Sequence, residues 1–77
     1  MDRSKKVLLS VVVCAYNEEV HLSSCLESLT SQKTQLSYEI IVIDAGSTDG
    51  TRTIAMDWAG RNGGVAVRYF QIVHGGL

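Results

Sequence analysis

Two short segments of this 77-residue chain gather residue types that could do chemistry: Cys14-Ala15-Tyr16-Asn17-Glu18-Glu19 and Asp44-Ala45-Gly46-Ser47-Thr48-Asp49-Gly50-Thr51. In the second, Gly46 suits a sharp turn because it reaches positive φ without steric cost. Ser47, Thr48 and Asp49 are all good helix N-caps, so a well-capped strand-to-helix turn is the favoured reading of Ser47–Thr51. Asp44 is a different case. A carboxylate at the tip of a buried strand is desolvated unless something pairs with it. In dinucleotide folds an acid at this place accepts hydrogen bonds from a ribose. For Asp44 the ligand reading and the local-capping reading both stay open. The first segment contains no glycine, hence no G-x-G-x-x-G, and the chain has no Walker A sequence. Tyr16 offers a flat ring for stacking and a hydroxyl, with Glu18 as an acceptor beside it. Taken singly, each reads as a solvated loop residue or a helix start.

These segments need elements to position them. Val7–Ala15 is a continuous β-branched-rich run, the pattern of a strand covered on both faces. Leu22, Cys25, Leu26 and Leu29 follow at helical spacing, predicting a helix over 18–31 with Glu18 and Glu19 in its first turn, where negative charge suits the helix dipole. Ser31–Ser37 is polar and reads as a loop. A second strand is predicted over 38–43. Thr51, Ile54, Ala55 and Trp58 predict a helix over 49–60, stopped by Gly60 and Asn62-Gly63-Gly64. A third strand is predicted over 65–73. The order is β-α-β-α-β with short connections, which implies an α/β fold with a parallel open sheet. Ligands bind such sheets beyond the carboxyl ends of the strands, where both segments fall.

Composition narrows the function further. The charge is −1 with His neutral and no basic patch stands out, so a nucleic-acid partner lacks electrostatic support. Hydrophobic residues make up 45% of the chain, which argues against disorder. The apolar run Val7–Ala15 is broken by Ser10 and far too short to span a bilayer. The basic start before Val7 has no small-residue cleavage site after it and reads as mature sequence. Cys14 and Cys25 fall in apolar patterns and are expected to be buried, reduced thiols. Cys14, His21, Cys25 and His74 are not spaced as zinc ligands.

The whole ordered set is more specific than any part. Ser10-Val-Val-Val-Cys-Ala-Tyr-Asn-Glu-Glu19, then Cys25-Leu-Glu-Ser-Leu29, then Tyr38-Glu-Ile-Ile-Val-Ile-Asp-Ala-Gly-Ser-Thr-Asp-Gly-Thr51 closely resembles family 2 glycosyltransferases. The resemblance runs from about Leu8 to Thr51, and weakly on to His74-Gly75-Gly76-Leu77. It implies the N-terminal nucleotide-binding part of a GT-A (Rossmann-like) fold. The implied activity is inverting transfer of a sugar from a nucleotide-diphospho-sugar to an acceptor hydroxyl. It also implies that Tyr16, Glu18 and Asp44 contact the nucleotide, with Cys14 and Ala45 at neighbouring positions of the site.

The chain departs from the family pattern in three places. Ala45 stands where a second acid often reads the base, which puts a UDP donor in doubt. Cys14-Ala15 replaces the usual small or proline residue before the tyrosine. The third departure is larger. The family's D-x-D motif and catalytic base lie downstream of the third strand, and no Asp or Glu follows Asp57. A divalent cation, Mg or Mn, is expected in the complete enzyme, with its ligands and the base absent here. The resemblance therefore implies a partial domain, inactive alone and prone to self-association, cytoplasmic or, in a longer form, membrane-associated. A stand-alone, non-catalytic nucleotide-binding module is the alternative. A flavodoxin-like regulator is a more distant one.

Overall fold

The computed structural model describes residues 9–34, 36–61 and 63–72. The expected strand start at residues 7 and 8, the turn residue Asn62, the strand end at Val73 and the stretch His74-Gly75-Gly76-Leu77 lie outside the described residues. The elements are β1 (Leu9–Ala15), α1 (Leu22–Thr30), β2 (Tyr38–Asp44), α2 (Thr51–Ala59) and β3 (Ala66–Gln71). The three strands form one parallel sheet in the order β1-β2-β3. The expected β-α-β-α-β open sheet is the one observed.

Strand periodicity sorts the side chains. The register aligns Val11 with Ile40 and Val67, Val13 with Val42 and Tyr69, and Ala15 with Asp44. These residues share the face on which Leu22 and Leu26 of α1 and Ala55 of α2 are buried. Leu29, Ile54 and Trp58 pack around that core. Two side-chain hydrogen bonds pin the helices. Tyr38 donates to the Leu29 carbonyl (2.7 Å), and the Trp58 indole N–H donates to Ser23 Oγ (3.3 Å).

The opposite face behaves differently from the expectation. Ser10, Val12 and Cys14 align there with Glu39, Ile41 and Ile43, and these with Ala66, Arg68 and Phe70. Val12 is 57% exposed and Phe70 43%. β1 is thus covered on one face, because no described element lies over the other. The buried-thiol expectation fails too. Cys14 and Cys25 are exposed and free. Cys14 belongs to the uncovered face, and Cys25 lies at the margin of the α1 stripe, whose buried members are Leu22 and Leu26.

The helix boundaries also shift. α1 begins at Leu22, and residues 19–21 form turns, so neither Glu18 nor Glu19 is in its first turn. α2 ends at Ala59. Gly60 stays at φ −87, and the left-handed backbone comes later, at Gly63 (φ 83) and Gly64 (φ 71).

Candidate functional site

Beyond the carboxyl ends of β1 and β2, the two chemistry-bearing segments fold into one unit. Three successive amides of the first loop donate to side chains of the second. Asn17 N–H meets Ser47 Oγ (2.8 Å), Glu18 N–H meets Thr51 Oγ1 (2.8 Å) and Glu19 N–H meets Asp49 Oδ2 (3.2 Å). The second loop answers in kind. Thr48 N–H donates to Asn17 Oδ1 (2.8 Å) and Gly50 N–H to Glu19 Oε1 (2.6 Å). Asn17 adopts φ 52, a left-handed conformation that Asn tolerates better than most residues. Gly46, at φ 90, makes the turn that glycine was expected to make.

Asp44 sits beneath this clasp with no exposed surface. Its Oδ1 accepts from the Gly46 amide (3.1 Å), the Ser47 amide (2.8 Å) and the Ser47 hydroxyl (2.7 Å). Its Oδ2 accepts from the Tyr69 hydroxyl (2.7 Å). Burial pushes the carboxyl upward, but the Ser47 and Tyr69 hydroxyls and the two amides outweigh it and hold Asp44 below the ordinary carboxylate range. Burial, reinforced by the hydrogen bond to Asp44 and that residue's charge, pushes Tyr69 up to about 12. Asp49 is held low mainly by the Thr51 hydroxyl. That hydroxyl donates to Asp49 Oδ1 (2.5 Å), and the Thr51 amide donates to the same oxygen (2.9 Å).

Each expected site residue has a definite place. Ala15 pairs with Asp44, so Tyr16 and Ala45 leave adjacent strand tips side by side. Tyr16 is 54% exposed. The Glu18 side chain is exposed and its carboxylate makes no hydrogen bond among the described residues. Ala45 is half-buried. Cys14 lies lower, on the strand itself, and its side chain belongs to the uncovered sheet face. Tyr16 and Ala45 therefore leave adjacent strand tips, Asp44 is buried at the end of β2, and Glu18 and Cys14 line a shallow cavity with His21, Leu22 and Cys25, apart from Ala45.

The expected capping of α2 by Ser47, Thr48 or Asp49 takes a different form. Gly50 is the N-cap, and the carboxylate that reaches its amide comes from Glu19. Sequence reasoning gave Asn17, Glu19 and Tyr69 no role in the site. Asn17 had one usable signal, its tolerance of positive φ beside a strand tip. Tyr69 had none, since only the register of β3 against β2 brings it to Asp44.

Such an arrangement defines an open, parallel α/β sheet of Rossmann-like type with its loops at the strand tips. The sequence profile of glycosyl transferase family 2 matches residues 10–76, and the chain belongs to that family. It is 34% identical over 80 residues to a dolichyl-phosphate beta-glucosyltransferase of Drosophila melanogaster, covering 95% of this chain and 24% of that one. It is 42% identical over 65 residues to an undecaprenyl-phosphate 4-deoxy-4-formamido-L-arabinose transferase of Aeromonas hydrophila, covering 82% and 20%. A third relative, glycosyltransferase AglE of Haloferax volcanii, is 42% identical over 52 residues, covering 66% and 17%. The chain thus spans a quarter or less of these relatives' lengths. No solved structure matches significantly.

Proposed function

We propose that this chain supplies the nucleoside-holding part of a nucleotide-sugar site in an inverting glycosyltransferase. The observation that carries this reading is that Tyr16 and Ala45 leave two adjacent parallel strand tips, with Glu18 two residues further along the same loop, in a chain of this family. Tyr16 stacks on the base, and Glu18 accepts from a nucleoside N–H or hydroxyl. Asp44 acts from below. A ribose hydroxyl could reach its carboxylate only by displacing Ser47 or Tyr69, so its part is to fix the turn that presents Ala45. Cys14 belongs to the strand that carries Tyr16.

The diphosphate must be held elsewhere. The amides of residues 17, 18 and 19 would make an anion-binding nest, but all three already donate to side chains. The chain's own acids do not fit a divalent cation either. Asp44 and Asp49 are committed to N–H and O–H donors, and no three of His, Cys, Asp and Glu converge among the described residues. In the transfer, the acceptor hydroxyl attacks the anomeric carbon, loses its proton to a base, and the nucleoside diphosphate departs. No acid follows Asp57 to serve as that base. These 77 residues alone are therefore expected not to turn over.

No described helix is long and apolar enough to cross a membrane. Two of the relatives are named for polyprenyl phosphates, which supports a membrane-associated setting for a longer form. The alternative of a stand-alone binding module uses the same residues and needs no further chain.

Titration calorimetry of the 77-residue chain with UDP and GDP tests the site. Weak binding of both is expected, with little preference for uracil because Ala45 is not an acid. Tyr16→Ala should weaken it about tenfold, the loss of one base–aromatic stack. Binding indifferent to both Tyr16→Ala and Glu18→Gln would overturn the assignment. Metal-dependent sugar transfer by this chain would overturn its catalytic incompleteness.

A further inference from the structure

The clasp joins residues that the nucleotide reading does not itself use. Asn17 is its hinge, because it acts in both directions. Its amide donates to Ser47 Oγ, and the Ser47 hydroxyl in turn donates to Asp44 Oδ1. Its side-chain oxygen accepts from the Thr48 amide, which has no other acceptor among the described residues. Its φ of 52 sends the chain from Tyr16 on one side to Glu18 on the other. An L-residue without a short polar side chain adopts that φ only at a cost.

We propose that Asn17 is a positioning residue for the nucleotide site: it sets the loop carrying Tyr16 and Glu18 against the turn carrying Ala45. This rests on the reading given under Proposed function. Asn17 does not touch the nucleotide; its side chain faces the second loop. The two loops are 30 to 33 residues apart in sequence and are held by six hydrogen bonds between them of 2.6 to 3.5 Å. Removing the Asn17 side chain deletes two of these bonds, from the Thr48 amide and, at 3.5 Å, the Thr48 hydroxyl, and also removes the residue type suited to the backbone that carries another. The Ala45 amide still donates to the Ala15 carbonyl (3.0 Å) and keeps the strand tips together, but the loop beyond Tyr16 is no longer held against the second loop at its hinge.

Three substitutions separate the two contributions. Asn17→Asp keeps an acceptor for Thr48 and a tolerance of positive φ. Asn17→Gly keeps the backbone but loses the acceptor. Asn17→Ala loses both. The experiment measures affinity for UDP and GDP, and amide hydrogen exchange at Thr48 by mass spectrometry, on each form of the 77-residue chain. Asn17→Asp should bind within about threefold of the parent, with Thr48 still protected. Asn17→Gly should weaken binding about fivefold, the effect of one net hydrogen bond. Asn17→Ala should weaken it by more than tenfold, adding the backbone cost. In both, Thr48 exchange should rise with or without nucleotide.

Unchanged Thr48 exchange in Asn17→Ala would overturn the clasp. Raised exchange with unchanged affinity would overturn the positioning role while leaving the clasp standing. Loss of binding in Asn17→Asp as severe as in Asn17→Ala would also overturn it, since the conservative form should rescue. If the parent chain binds neither nucleotide, the functional reading fails and this proposal with it. The exchange data would then show that it failed for want of a site and not for want of the clasp.

Discussion

Asp44 shows what a single carboxylate does when it is buried at a strand tip. Four donors surround it, and each would be left facing an apolar group if the oxygens were removed. Asp44→Asn should destabilise the chain by about 1–3 kcal/mol, the usual range for a buried bond to a charged group, read from the urea midpoint. The pH dependence has a definite sign. The folded pKa of Asp44 lies below 3.8, so its contribution is present above that value and is lost as pH falls through the folded pKa. Asp44→Asn should flatten this acid limb. Tyr69 works in the opposite sense. Its pKa rises from 10.0 to about 12, so its contribution is present below pH 10 and lost as pH climbs toward 12. Tyr69→Phe should flatten the alkaline limb, and an unchanged limb in either variant would refute the pairing. At this scale the sequence was partly legible. A desolvated acid at Asp44 was evident from its place after Ile43, but its hydroxyl partner on β3 depends on a non-local register that no spacing reveals.

Among the elements, the two helices are tied together by a cap that crosses between them. Glu19 lies ahead of α1 yet places its carboxylate on Gly50, the N-cap of α2. Negative charge there meets the positive end of the α2 dipole. Glu19→Ala should cost about 1 kcal/mol, typical of a lost N-cap, with Glu19→Gln intermediate and the difference shrinking at high salt. A denaturation midpoint equal to the parent's would dismiss the cap. The element order and all three strands were readable from apolar runs and turn residues. The start of α1 was misplaced for a physical reason. Two acids before an apolar stripe look like a first turn, and local pattern gives no weight to a second loop 30 residues away that competes for them. The ends of the strands were less clear, since β2 runs on through Asp44, a residue whose burial only the tertiary structure creates.

At the scale of the molecule, the described residues cover the sheet on one side only. Ten residues between Leu9 and Phe70 are enough to show the contrast: Val11, Ile40, Val42 and Val67 lie under two helices, while Val12, Cys14, Ile41, Ile43, Arg68 and Phe70 lie on the face without one. The sequence carried both facts in a blended form, because a run such as Val11-Val12-Val13 is apolar toward both sides and does not say which side is covered. The polar end of the open face is internally paired, with Ser10 donating to Glu39 (2.7 Å) and Arg68 3.5 Å from the same carboxylate. Its other end is apolar. β1 is also an outer strand, pairing only with β2 among the described residues, and it carries no charge or proline to discourage another strand. The buried core is small, with seven buried apolar residues among those described, so little stability is in reserve against contacts made by these surfaces. The isolated 77-residue chain should therefore self-associate at micromolar concentration. Val12→Lys puts a solvated charge on a side chain that is already exposed, so the fold tolerates it while both the open face and the β1 edge become poorer docking surfaces. Sedimentation equilibrium should return masses well above 8.4 kDa for the parent and closer to it for Val12→Lys. The near-UV signal of Trp58 and the tyrosines should be alike in the two if the fold is kept. A parent chain that sediments as a monomer, with a fixed aromatic signal and a cooperative unfolding transition, would refute the expectation and favour the stand-alone module over a part of a larger transferase.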